Sequence, residues 1–202
     1  MENNTEETKV ILKKDKKAWI KEQLLNIWDL VKFMALALII VIPIRTYIAQ
    51  PFIVSGESMV PTFQDGEYLI VDELSYNMGN IKRGDVVIFK YPHDPSRYFI
   101  KRIIGLPNEK IEISGQKVKI ENKANPDGFI IDEPYINENF STNEKYDTGP
   151  NGYFVMGDNR NRSSDSRVWG VVDKKFLIGR AYLRLLPFNS IDYLPGEYNQ
   201  EK

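Results

Sequence analysis

The chain has 202 residues, 42% hydrophobic and 27% charged, with 27 Lys and Arg against 28 Asp and Glu, a composition that fits one or two folded domains and excludes a disordered or collagen-like chain. A net charge of −1 lacks the basic excess of a phosphate-tracking surface, so nucleic acid is not an expected partner. Zero cysteines exclude a disulfide, a thiolate zinc site and a cysteine nucleophile, and the single histidine, His93, excludes a His-rich metal site.

Residues 1–27 read as a solvated, partly helical tail. Residues 33–44 carry no charge, and apolar residues continue on both sides. Crossing the hydrocarbon core takes about 20 helical residues, so a transmembrane helix is expected at 28–48. Trp28 and Tyr47 would then sit at the two interfaces and Lys32 and Arg45 would snorkel from the ends, with Asp29 the discordant residue. Lys9, Lys13, Lys14, Lys16, Lys17, Lys21 and Lys32 precede the run, whereas only Arg45 follows it before Lys82. That asymmetry predicts a cytoplasmic N-terminus and an exported body. A buried core helix or a cleaved signal peptide would also give an apolar run. The leader is long for a signal peptide, and Pro51 stands just past the small-residue exit at Ala49, which favours an uncleaved anchor.

From residue 49 to 202 the texture changes to short β-branched runs at 68–71, 86–91, 98–104, 110–113 and 117–120, punctuated by Gly66, Gly84, Gly105 and Gly115. Ile111 and Ile113 alternate with Glu112 and Ser114, and Gly115-Gln116 suits a hairpin turn. Further strands are expected at 153–156 and within 176–186. The stretch 121–151 is rich in Asn and acids with interspersed prolines, and reads as a polar surface excursion. The fold class is therefore mostly β: a single N-terminal transmembrane helix followed by a largely antiparallel, extracytoplasmic β domain.

Polar chemistry concentrates in three segments. In Ser55-Gly-Glu-Ser-Met-Val-Pro-Thr, Ser58 stands on backbone stiffened by Gly56 and Pro61, a setting for a presented hydroxyl and equally for an ordinary turn. In the strand at 97–104, Phe99, Lys101 and Ile103 share one face and Ile100, Arg102 and Ile104 the other. Neither face is polar, so at least one of two adjacent cations must enter apolar surroundings. Arg keeps its proton there, while a buried Lys loses it readily and becomes a general base. A snorkelling Lys beside an ion-paired Arg at a sheet margin is the plainer alternative. The third segment, 157–167, holds Asp158, Arg160, Arg162, Asp165 and Arg167 in a hydrophilic loop suited to internal ion pairs. It is no calcium loop, because Arg160 and Arg162 occupy positions where oxygen ligands are required.

With the anchor ahead of them, Ser-Met-Val-Pro-Thr at 58–62, Gly-Asp-Val-Val at 84–87, Lys-Arg-Ile-Ile-Gly-Leu-Pro at 101–107 and Gly-Asp-Asn-Arg to Asp-Ser-Arg at 157–167 stand in register. So arranged, the chain resembles the type I signal peptidases, membrane-bound serine proteases with a Ser-Lys dyad, in the single-anchor Gram-positive-like form. The resemblance implies Ser58 as nucleophile and Lys101 as general base, no metal and no cofactor, and Ser163 as the serine that hydrogen-bonds and orients the base. It implies structural support from Asp158, Asp165 and Arg167, and an oxyanion donor in the Ser58 N–H. Where some members carry a second hydroxyl donor two residues before the nucleophile, this chain has Gly56. Phe52, Val54, Met59 and Ile100 are expected to line shallow apolar pockets for an extended substrate with small side chains. The implied partners are preprotein signal peptides, the lipid bilayer and, transiently, the secretion translocon. Three rivals compete. A non-enzymatic anchored β domain explains the anchor and strands but not the motifs; a penicillin-binding-type acyl enzyme needs Lys at position 61, which is Pro; and a self-cleaving repressor should lack the anchor.

Overall fold

The computed structural model describes residues 3–43, 49–79, 81–136 and 139–198. The chain divides into two units, residues 1–46 and 47–202. The first is the helix α1 (Asn3–Pro43). Within it the 20 residues Gln23–Ile42 are apolar enough to cross a membrane, and none of that window is buried in protein. About 30 Å of helix results, the thickness of a hydrocarbon core. This apolar window begins before the expected 28 and the helix ends at Pro43, while residues 44–48 of the expected span lie outside the described residues. The discordant Asp29 is matched by Lys32, one helical turn on, at 2.7 Å.

The second unit is β-rich, with strands β1 (Ala49–Ile53) and β2 (Tyr68–Asp72), a short helix α2 (Leu74–Asn77), then β3 (Val86–Tyr91), β4 (Asp94–Gly105), β5 (Lys110–Gly115), β6 (Lys117–Glu121), β7 (Phe129–Ile130), β8 (Thr142–Asp147) and β9 (Gly152–Met156). Helix α3 (Ser166–Trp169) precedes β10 (Val172–Asp173), β11 (Leu177–Leu186) and β12 (Asp192–Tyr193). One sheet runs β1-β2-β11-β3-β4-β9-β10, with β12 also on β11; the other runs β7-β6-β5-β8. Every pairing is antiparallel.

Alternation builds three apolar layers. Ile88 stands opposite Ile100, and Val87 opposite Lys101, so β3 and β4 share both faces. Val86, Ile88 and Ile100 join Val54, Met59, Phe63, Leu69 and Val71 on one side. Val87, Phe89, Phe99 and Ile103 join Tyr76, Tyr153 and Val155 on the other. Between the sheets, Ile104, Phe154 and Met156 meet Ile111, Ile113, Val118 and Ile120. Each such residue contributes roughly 1.5–3 kcal/mol by leaving water.

The hairpin turn falls at Gly115-Gln116, with Ser114 opposite Lys117 and Gly115 at φ +62°. The stretch 121–151 is more than a surface excursion. Ile131 and Phe140 are buried in the layer between the sheets, and β8 pairs along all of β5. Glu109 ties this small sheet to the large one, accepting a bidentate ion pair from Arg83 and a hydrogen bond from Asn122.

Candidate active site

The connection between β1 and β2 carries Ser58. Its ends are stitched together, Val54 N donating to Glu67 O and Gly66 N to Val54 O, both at 2.9 Å. Gly56, at φ +88°, donates its N–H to Asp65 Oδ1 at 2.7 Å. That N–H is therefore already committed to Asp65. Met59 and Phe63, 1% and 0% exposed, sink into the core and leave Ser58 standing above them. Met59, expected to line a shallow apolar pocket, packs into the core instead. In this turn, side-chain direction follows the local backbone and not strand alternation.

Strand β4 delivers Lys101. Its Nζ donates to Ser58 Oγ at 2.7 Å and to Ile100 O at 2.8 Å, and lies 5.5 Å from the Phe99 ring centre. The residue is 4% exposed. Burial lowers its pKa from 10.5 to about 8, against the opposing charges of Asp165 and Asp158. About a tenth of the amine is therefore neutral at pH 7. Arg102, 1% exposed, faces the other way. It donates from Nε and Nη2 to Asp158 at 2.8 and 2.6 Å and from Nη1 to Gly84 O at 2.8 Å, and its guanidinium carbon lies 3.9 Å from the Tyr135 ring centre.

The loop after β9 closes the site. Asn159 grips the serine turn from two directions, with N donating to Ser58 O and Nδ2 to Glu57 O, both at 3.1 Å. Asp158 accepts from Thr62 Oγ1 at 2.5 Å, which connects that turn to the Arg102 pair. Asp165 is wholly buried, accepting from Gly157 N at 3.0 Å and from Arg167 Nε and Nη2 at 2.8 Å. It also caps α3 through Arg167 N. Gly157 allows no side chain, since a Cβ would collide with the Ser163 side chain and the Ser58 carbonyl oxygen.

Ser163 thus sits beside the serine turn, but its Oγ is buried without a hydrogen-bond partner among the described residues. The expected bond to the base is not made; Lys101 Nζ turns to the Ile100 carbonyl instead.

A cleft of about 230 Å³ opens between residues 52–55 and 98–101, floored by Leu69 and Ile88 and ending at Ser58, Lys101 and Ser164. Phe52, Val54 and Ile100 line it, joined by Ile53, Ser55, Tyr98 and Phe99. Both flanks are strand edges: among the described pairings β1 has only β2 beside it, and β9 accompanies β4 only from Arg102 onward. His93 is exposed at the β3–β4 turn against Tyr91, outside the cleft.

Residues that sequence reasoning missed do much of the holding. Asn159 and Thr62 lay inside quoted motifs without an assigned role. Glu133 pairs with buried Arg160, whose guanidinium carbon lies 4.9 Å from the Phe140 ring centre, and carried no local signal in the Asn-rich stretch.

A family model described as signal peptidase, peptidase S26, matches residues 27–186. A probable signal peptidase I-2 of Synechocystis is 36% identical over 87% of this chain and 81% of its own length. A signal peptidase I of Bacillus licheniformis is 35% identical over 82% and 92%. Signal peptidase IB of Staphylococcus aureus is 31% identical over 79% and 90%. A solved signal peptidase I from Enterococcus faecalis V583 is 28% identical and covers 50% of this chain and 96% of that chain, with a TM-score of 0.44. With the family model spanning most of the sequence and relatives above 30% identity along most of its length, the chain belongs to the signal peptidase family of peptidases, S26.

Proposed function

We propose that the chain is a signal peptidase I that removes N-terminal signal peptides by Ser-Lys acyl-enzyme catalysis. One observation carries the reading: the hydroxyl of Ser58 lies 2.7 Å from the amine of Lys101, whose pKa burial has lowered to about 8. An ammonium in that contact donates to Oγ, whereas the neutral amine accepts the hydroxyl proton. Ser58 Oγ then attacks the scissile carbonyl as Lys101 takes its proton. The Ser58 N–H donates to the developing oxyanion, an interaction typically worth a few kcal/mol. Lys101 passes the proton to the departing amine, leaving an ester on Ser58. It next deprotonates the water that hydrolyses that ester, returning the proton to Ser58.

The cleft between two strand edges suits an extended peptide that adds as a strand, its small side chains entering the apolar walls. The α1 window serves as the anchor, with the lysine-rich N-terminus cytoplasmic and the β unit on the far side, where it meets preproteins at the bilayer and transiently at the secretion translocon.

The test is cleavage of a purified preprotein by the detergent-solubilised chain, beside Ser58→Ala. Wild type should release the mature protein and Ser58→Ala should release none. Equal cleavage by both would remove the reading.

A further inference from the structure

Arg184 of β11 lies outside every motif above and outside the cleft. All three of its guanidinium nitrogens nonetheless donate hydrogen bonds. Nε donates to Ser190 O at 2.8 Å, Nη1 to Thr62 O at 3.0 Å and to the Glu67 carboxylate at 3.0 and 3.1 Å, and Nη2 to Asp192 Oδ2 at 3.2 Å. Its carbon lies 5.6 Å from the ring centre of Phe63. Thr62 and Glu67 both belong to the turn that carries Ser58. We infer that Arg184 is a positioning residue for acyl transfer, holding the back of that turn so that Ser58 Oγ stays within reach of Lys101 Nζ. The inference rests on Ser58 being the nucleophile.

Burial of Met59 and Phe63 fixes how deep the turn sits but is non-directional, so it does not fix lateral position. Directional bonds do. Asn159 and Asp158 hold the turn from the front, and Arg184 from behind. Thr62 is gripped on both sides, its hydroxyl by Asp158 and its carbonyl by Arg184. A shift there passes to Ser58 through the tight turn closed by Phe63 N on Met59 O at 2.9 Å. Arg184 is itself fixed by Ser190 and Asp192, and its backbone pairs with Asp192 in the β11–β12 ladder. A planar fork with five donors spans these acceptors at once, which a lysine ammonium does not.

The test uses the full chain in detergent with a preprotein substrate, comparing wild type, Arg184→Met, Arg184→Lys and Ser58→Ala, with rates normalised to folded enzyme. Misplacement by about 1 Å costs about 100-fold in rate, so Arg184→Met should lower kcat by about 10–100-fold while KM stays within about twofold. The acid limb of kcat/KM should keep its pH, because the charges around Lys101 are untouched. Arg184→Lys should recover part of the loss. A lower melting temperature with unchanged kcat would mean a merely structural role and overturn the inference, as would a displaced acid limb. If Arg184→Met does not fold, wild-type kcat in Arg184→Lys overturns it. Cleavage by Ser58→Ala defeats the nucleophile reading itself, whereas an inactive Ser58→Ala beside a fully active Arg184→Met defeats only the role of Arg184.

Discussion

Lys101 and Arg102 are consecutive in β4 and almost wholly enclosed, 4% and 1% exposed, yet only Arg102 meets a carboxylate. The pleat sends them to opposite faces. For Arg102, burial works against the charge, but the hydrogen bonds and charge of Asp158 outweigh it and raise the pKa. For Lys101, among the described residues, no ion pair offsets burial, and the pKa falls to about 8. The same strand thus holds one permanent cation and one amine poised to lose its proton.

That depression has a cost in stability, with a definite sign. Between pH 8 and 10.5 the unfolded chain holds a proton on Lys101 that the folded chain has released, so stability rises with pH across that window. Below pH 8 the penalty is fully present, on the order of 3 kcal/mol. Lys101→Met should therefore melt higher than wild type at pH 7, with the gap closing toward pH 10.5. Equal melting temperatures at pH 7 would contradict the assigned burial.

Asp158→Asn removes a charge that Arg102 needs and that raises the pKa of Lys101. Breaking a buried pair on one side costs about 3–5 kcal/mol, which a denaturant titration measures. The acid limb of cleavage should move to lower pH, since Lys101 loses a neighbouring negative charge. A limb displaced upward would mean that Asp158 acts differently.

Gly157→Ala places a methyl group against the Ser163 side chain and the Ser58 carbonyl oxygen. The serine side chain could turn away. The carbonyl is backbone, held by Asn159 N at 3.1 Å, so the Ser58 turn must move. Turnover should fall about 100-fold with the far-ultraviolet circular dichroism unchanged. Normal turnover would show that the turn tolerates the shift.

The cleft walls predict a size limit. Preproteins carrying progressively larger side chains at the first and third positions before the cut should lose kcat/KM stepwise, roughly 10–200-fold per misfit group. Ile100→Ala, which widens a wall, should relax the limit at one of these positions. Indifference to size in wild type would argue against these walls as the binding surface.

How much of this was legible in the sequence varies by element. Ile111, Ile113, Val118 and Ile120 announce their strands because one face is buried and period-2 alternation follows. Strand β8, with the sequence TNEKYD, is largely exposed and charged, as edge strands often are, and so reads like a loop. Strand β1 is masked by Pro51, which an edge strand accommodates. In β4 both faces are apolar, so alternation does not tell which cation finds a carboxylate. That depends on Asp158, 56 residues further along. Arg184 had no signal, because its acceptors are carbonyls and carboxylates from separate segments.

The pH dependence of kcat/KM for preprotein cleavage, measured from pH 5 to 10 on wild type beside Lys101→Ala, tests the central claim most directly. The account predicts a wild-type rate that climbs with pH to a plateau above about 8, and no cleavage by Lys101→Ala at any pH. A wild-type profile flat across that range, or cleavage by Lys101→Ala at the wild-type rate, would contradict it.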